Sequence, residues 1–233
     1  MTDINRRDIT LLALLSPLTA AAAPIPPASV PRAIEAAPVP DTHDMASMPA
    51  TWTQRNEIAM LIYPWMTALD LIGPQYMFAS LSGARVHLVA KSLDPVTSDT
   101  GVTITPTATF SDCPKDLTVL FAPGGTQGTL AAMRDAETRE FMADRGARAT
   151  YVTSVCTGSL ILAASGLLTG YRATSHWAAR ASLSEFGAVP VDARVVKDRN
   201  RITGAGVTAG LDFGLTMLAE LRDATYAQGI QLM

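Results

Sequence analysis
The residue with most chemistry to offer is Cys156, which ends a strand-type apolar run and opens a helical one in YVTSVCTGSLILAA. A cysteine at the first turn of a helix feels the positive end of the helix dipole, which favours thiolate over thiol and lowers its pKa. Cys156 is therefore expected to be a nucleophile near neutral pH. The backbone N–H of Thr157, the next residue, is placed to stabilise negative charge beside the sulfur. The pair Gly124 and Gly125, after the apolar run LTVLFAP, lets a second N–H approach closely, and together these groups predict an oxyanion-type hole. Asp70 follows the first strand, where a carboxyl could carry protons; it could equally be a helix N-terminal acid held by the dipole. His176, in ATSHW, is one of three histidines and invites a general-base role, although a histidine beside Trp177 is as often a packed residue. It is kept with Gly124 and Gly125 as a substrate-binding candidate. Gly204 and Gly206 in ITGAG suit a tight turn with close backbone approach.

These residues need a scaffold that gathers them, and the hydrophobic pattern predicts one. NEIAMLIYP reads as a buried strand, followed by a helix that starts at Thr67 and carries Leu69, Leu71 and Ile72 before Pro74. RVHLVA is a second strand, PVTSDTGVTITPTATF a hairpin with Gly101 near its turn, and LTVLFAPGG a third buried run. TLAAMRDAETREFMADRGAR has helical periodicity with Gly146 near its end. After the Cys156 strand and helix come a helix through AARASLSEFG, a strand-rich AVPVDARVVKDRNRITGAG and a helix through VTAGLDFGLTMLAEL. Strands alternating with helices predict an α/β fold with a mostly parallel sheet covered on both faces. In such a sheet, ligands gather at the carboxyl ends of the strands, where Asp70, Gly124, Gly125 and Cys156 all fall.

The whole chain, at 233 residues, is long enough for one substantial core plus appendages. Its 18 basic and 21 acidic residues carry no basic footprint for nucleic acid. No apolar run outside the N-terminus reaches the roughly 18 residues that cross a bilayer. At that N-terminus, Arg6 and Arg7 precede a short apolar stretch and the small residues Ala20 to Ala23, an order that resembles a twin-arginine export signal. Residues 1–23 are thus expected to be a signal peptide, 24–53 a disordered Pro- and Ala-rich linker and 54–233 the folded domain. Export implies a periplasmic location, or a cytoplasmic one if the signal is not functional. An oxidising compartment raises the question of a disulfide between Cys113 and Cys156, which is disfavoured because a strand-to-helix cysteine usually has a reactive or packing role.

The segments PGG, SVCTGSLILAASGLLTGYRATSHW, LDLIGP and ITGAGVTAGLDF closely resemble the DJ-1/PfpI superfamily, and within it the isonitrile (isocyanide) hydratases. The resemblance runs from Ile58 to Met233. It implies a flavodoxin-like three-layer sandwich of the class I glutamine amidotransferase-like kind, a homodimer, and Cys156 on a strained nucleophile elbow. The family's carboxylate partner falls on Asp70. Members resembling the PfpI peptidases and deglycases carry His directly after the nucleophile, where this chain has Thr157, which disfavours peptidase-like chemistry. Related transcription regulators carry an AraC-type helix-turn-helix module after this domain, and none is expected here.

By that resemblance, the Cys156 thiolate attacks the terminal carbon of an isocyanide, Asp70 protonates that carbon, and water placed by Asp70 and the Thr157 region releases an N-substituted formamide. No cofactor or metal is expected, and the partner is a small-molecule substrate, with no nucleic acid and no membrane beyond the export signal. Two other readings stay open: a glyoxalase- or deglycase-like hydrolase using the same Cys and carboxylate, and a non-enzymatic periplasmic redox sensor acting through Cys156 oxidation.

Overall fold
The apolar runs become strands because helices cover both faces of the sheet they form. The computed structural model describes residues 48–233, so the expected signal and most of the linker lie outside the described residues. The chain order is β1 (Asn56–Leu61), α1 (Ala68–Ala79), β2 (Ala84–Ala90), β3 (Val96–Thr97), β4 (Thr103–Ile104), β5 (Ala108–Thr109), β6 (Val119–Ala122), α2 (Thr126–Arg134) and α3 (Ala136–Gly146). It continues with β7 (Tyr151–Val155), α4 (Gly158–Ala164), β8 (Arg172–Ala173), β9 (Val189–Pro190), β10 (Val195–Asp198), β11 (Arg201–Gly204), α5 (Ala209–Leu221) and α6 (Ala224–Gln231).

Seven strands make the main sheet in the order β10-β11-β7-β6-β1-β2-β5. All its pairings are parallel except β10 with β11. α1, α5 and α6 pack together, and α2, α3 and α4 pack together, giving the three layers of a flavodoxin-like sandwich. From β1 the chain first moves to β2 on one side and later returns to β6 on the other. The crevice outside the carboxyl ends of β1 and β6 is therefore the topological switch point, where open α/β sheets place ligands.

Three helices differ from the sequence expectation. α1 does not stop at Pro74 but runs through it to Ala79. Proline removes one intrahelical bond, yet the ring seats against Gly210 of α5, which has no Cβ to meet it. The stretch expected as one helix is two, α2 and α3, broken at Asp135. That residue adopts an extended conformation (ψ 117°) and caps α3 by accepting the Thr138 N–H at 2.8 Å. The segment AARASLSEFG forms a 3-10 helix over Arg180–Phe186. The hairpin about Gly101 is present as the antiparallel pair β3 and β4, with Gly101 at φ 84°.

The folded region also begins earlier than expected. Ala50–Thr53 form a 3-10 turn whose Trp52 is buried, with its indole N–H donating to Asp223 Oδ2 at 2.6 Å. The buried Arg222 guanidinium donates to the carbonyls of Trp52, Gln54 and Ser82 at 3.0, 2.8 and 2.9 Å. A large apolar ring with one donor and a planar five-donor group thus tie residues 50–54 to the α5–α6 junction, and a linker ending at residue 53 is corrected accordingly.

The core joins the layers through Phe78 of α1, Phe121 of β6 and Phe213 of α5, whose ring centroids lie 5.5–6.2 Å apart. All three side chains are fully buried. Phe213→Ala should lower the unfolding free energy by about 3–5 kcal/mol. The check is a fall in the denaturant midpoint with an unchanged slope; a midpoint at the wild-type value would mean that the site collapses without loss.

Candidate active site
β7 ends at Val155 and α4 begins at Gly158, so Cys156 and Thr157 must turn the chain in two residues. Cys156 does so in the left-handed region, φ 57°. For a residue with a Cβ this costs of order 1–3 kcal/mol and persists only where the surroundings impose it. They do. The Cys156 N–H is shared between the carbonyls of Gly204 and Ala205 at 3.0 and 2.5 Å. Its carbonyl accepts the hydroxyls of Ser159 and Ser175 at 3.1 and 3.0 Å. Gly158 permits the turn because any Cβ there would lie 2.2 Å from the Ala122 carbonyl oxygen. The residue is 6% exposed, and the N–H groups of Thr157 and Val207 lie near enough to its sulfur to favour negative charge there.

Asp70 enters from the first turn of α1 and is fully buried. Its Oδ2 accepts the Gly124 N–H at 3.2 Å, and its carboxyl lies beside the Cys156 thiol, both groups crowding the same face of Gly124. Among the described residues, Oδ1 finds no hydrogen-bond partner. The start of α1 is capped from a distance: the Ala68 N–H donates to Asp99 Oδ1 at 3.1 Å, and Asp99 lies in the β3–β4 hairpin. Burial pushes Asp70 up to about 7, opposed by its bonds to Cys156 and Gly124 and reinforced by the Asp99 charge. Burial and then the Asp70 carboxylate push the Cys156 thiol up to about 12.

That corrects the expectation of a lowered thiol pKa. The dipole of a single short helix loses to desolvation plus an adjacent negative charge. With the carboxyl at about 7 and the thiol at about 12, the thiol keeps its proton at neutrality while the carboxyl beside it is partly ionised and, when ionised, stands where it can accept that proton.

The glycine pair has a different task from the one expected. The Gly124 N–H is engaged by Asp70, and the Gly125 N–H donates to Thr157 Oγ1 at 3.0 Å, so neither is a free oxyanion donor. The second N–H at the sulfur comes instead from Val207. What Gly124 provides is room: a Cβ would sit 2.7 Å from both Asp70 Oδ2 and Cys156 Cβ. Gly125, at φ 153°, faces the backbone of Trp65 and Met66 just as closely. Thr157 is thus joined to the centre by its N–H and to Gly125 by its hydroxyl. His176 stands apart, its Nδ1 accepting the Ala178 N–H at 3.3 Å and its ring tilted against Trp177. Its ring also faces Gly206, so that glycine is the point of close approach anticipated for the ITGAG turn. A cavity of 260 Å³ borders this region, walled by Ser175, Trp177, Arg180, Arg194, Ala205 and Gly206. A larger one of 460 Å³ opens on the α2 side, with Tyr63 but neither Cys156 nor Asp70 in its wall. Cys113 and Cys156 are both free; the buried Cys113 thiol donates to the Pro114 carbonyl at 3.6 Å.

Residues 56–220 match the DJ-1/PfpI family. The chain belongs to that family. This DJ-1/PfpI domain is 51% identical over 176 residues to an isonitrile hydratase of Pseudomonas putida, covering 76% of each chain. It is 32% identical over 175 residues to the HTH-type transcriptional regulator GbdR of Pseudomonas aeruginosa, covering 70% of this chain and 46% of that one. A solved ThiJ/PfpI family protein from Pseudomonas syringae superposes with a TM-score of 0.79 at 65% identity, over 89% of this chain and 81% of the other. Drosophila melanogaster DJ-1beta, at 20% identity and a TM-score of 0.69 over 77% and 97% of the chains, shares the fold.

Several residues that build the site of this DJ-1/PfpI domain escaped the sequence reading. Ser159 carried a local signal, since a hydroxyl three residues after a turn residue commonly caps its carbonyl. Ser175, Val207 and Asp99 carried none, because each arrives from a distant segment.

The Asp70 charge generates a prediction. In Asp70→Asn the carboxylate no longer holds the thiol protonated, so alkylation of Cys156 by iodoacetamide at pH 8 should accelerate about tenfold or more, one unit of thiol pKa per tenfold of thiolate. A rate equal to wild type, read as loss of free thiol against time, would show that another group sets the thiol.

Proposed function
We propose that the protein is a cysteine-dependent isonitrile hydratase that adds water to a small isocyanide and releases an N-substituted formamide. The observation that carries the reading is the buried Asp70 carboxyl in contact with the Cys156 thiol, in a chain half identical to a hydratase of that name. A carboxyl pushed up to about 7 is matched to both accepting and returning a proton at neutral pH. The thiol beside it is a stronger nucleophile at the moment that carboxyl takes its proton.

The steps follow from that shared proton. Asp70 takes the thiol proton as the sulfur pair forms a bond to the terminal isocyanide carbon, and then delivers it to that carbon. The product is a neutral thioimidate, R–N=CH–S–Cys156. Water adds across C=N, its oxygen to carbon and one proton, through Asp70, to nitrogen. The tetrahedral species collapses: its hydroxyl proton passes through Asp70 to the departing sulfur, the C–S bond breaks, and R–NH–CHO leaves. The N–H groups of Thr157 and Val207 stabilise the sulfur whenever it carries charge.

The redox-sensor reading is less well supported, since a thiol pushed up to about 12 is slow to be oxidised. The dicarbonyl-hydrolase reading shares the same pair and is separated by substrate. Wild type should convert an aryl isocyanide to its formamide, Cys156→Ala should give none, and Asp70→Asn should lose at least about a hundredfold. Formamide detection with intact-mass analysis reads all three. No formamide from wild type with an unmodified Cys156, alongside turnover of methylglyoxal, would replace this reading with the hydrolase one.

A further inference from the structure
Thr157 is the terminus of a chain of hydroxyls that runs away from the nucleophile. Its Oγ1 lies 2.8 Å from Thr129 Oγ1, which lies 3.1 Å from the Tyr63 hydroxyl, which donates to the Pro123 carbonyl at 2.7 Å. Tyr63 and Thr129 are buried, and burial pushes the Tyr63 phenol well above its ordinary value, so it keeps its proton.

Counting protons gives this chain a direction. A carbonyl only accepts, so the Tyr63 proton points at Pro123. The Tyr63 oxygen can then only accept from Thr129; were the Thr129 proton turned the other way, two oxygens 3.1 Å apart would face each other with lone pairs. Thr129 thus donates to Tyr63 and must itself accept from Thr157. Thr157 Oγ1 already accepts the Gly125 N–H, so with its proton committed to Thr129 it retains one lone pair and no free proton. Thr157 directly follows Cys156, and its N–H lies beside both the sulfur and Gly124, so this hydroxyl belongs to the residue next to the reacting pair.

We propose that Tyr63 and Thr129 are positioning residues that fix the Thr157 hydroxyl as a hydrogen-bond acceptor for the water that attacks the thioimidate. The proposal rests on the hydratase reading and concerns only its second half, since nothing in the hydroxyl chain touches the sulfur. An accepting Thr157 oxygen orients one water proton and leaves the other to Asp70, directing the water's remaining lone pair at carbon. Tyr63→Phe deletes the acceptor for the Thr129 proton, which then turns to Thr157 and blocks its lone pair. Thr129→Val cuts the chain, whereas Thr129→Ser keeps it.

The test compares wild type, Tyr63→Phe, Thr129→Val and Thr129→Ser with an aryl isocyanide. Tyr63→Phe and Thr129→Val should lose about tenfold in kcat, the value of one hydrogen bond, with Thr129→Ser near wild type. The decisive readout is mass spectrometry at steady state, where the isocyanide adduct on Cys156 should accumulate in the two slow variants while iodoacetamide alkylation of Cys156 stays at the wild-type rate. Unchanged kcat in both variants overturns the proposal, as does a loss of alkylation in parallel with turnover, which would mark a structural role. Inactivity of wild type itself would overturn the hydratase reading and this proposal with it, an outcome distinct from active wild type with unaffected variants.

Discussion
The left-handed backbone of Cys156 is the constraint on which the remaining geometry hangs, and it is held from four sides. The carbonyls of Gly204 and Ala205 take its N–H, and the hydroxyls of Ser159 and Ser175 take its carbonyl. Satisfying both backbone groups matters because either, left unpaired in a buried turn, would cost as much as the strain itself. With the backbone so fixed, the sulfur is held against Asp70, the Thr157 N–H is turned back toward it, and α4 starts at once. The same loop after β11 that receives the Cys156 N–H supplies the Val207 N–H to the sulfur, so one segment holds the elbow and completes its surroundings.

Within that frame the proton affinities of the thiol and the carboxyl are set by burial and by each other. A helix N-terminus alone favours thiolate, but the Cys156 thiol is buried and has a carboxylate beside it, and both effects favour the protonated form. The consequence is a resting thiol rather than a standing thiolate. In the proposed hydratase such a protonated thiol would become nucleophilic as Asp70 takes its proton. Asp99, from the small hairpin, both caps α1 and raises Asp70, so an excursion outside the main sheet adjusts the proton affinity of the central acid.

Glycine at the switch point serves space more than donors. Gly124 lets Asp70, Cys156 and Thr157 converge where a methyl group would overlap all three, and its N–H fixes the carboxylate. Gly125 donates its N–H to Thr157, linking the turn after β7 to the loop after β6. The PGG motif suggested oxyanion donors, but here both N–H groups are bonded within the protein, and what the glycines supply is room.

Much was legible from the sequence because periodicity and turn chemistry are local. The alternation of apolar strands and amphipathic helices sufficed for a parallel, three-layer sandwich, and the strand-to-helix position of Cys156 singled it out. Gly101 and the ITGAG turn declared themselves by residue type. Local rules also erred: Pro74 sits inside α1 because packing on α5 outweighs one lost hydrogen bond, and Asp135 breaks a seemingly continuous helix by capping its second half. Trp52 was read as linker because its partners, Asp223 and Arg222, lie some 170 residues away. What only the tertiary structure decided is the proton affinity and the company of Cys156. Burial, the approach of Asp70, the hydroxyls of Ser159 and Ser175, and the Thr157–Thr129–Tyr63 chain join segments distant in sequence, and electrostatics and hydrogen bonding act through space, where spacing along the chain carries no information.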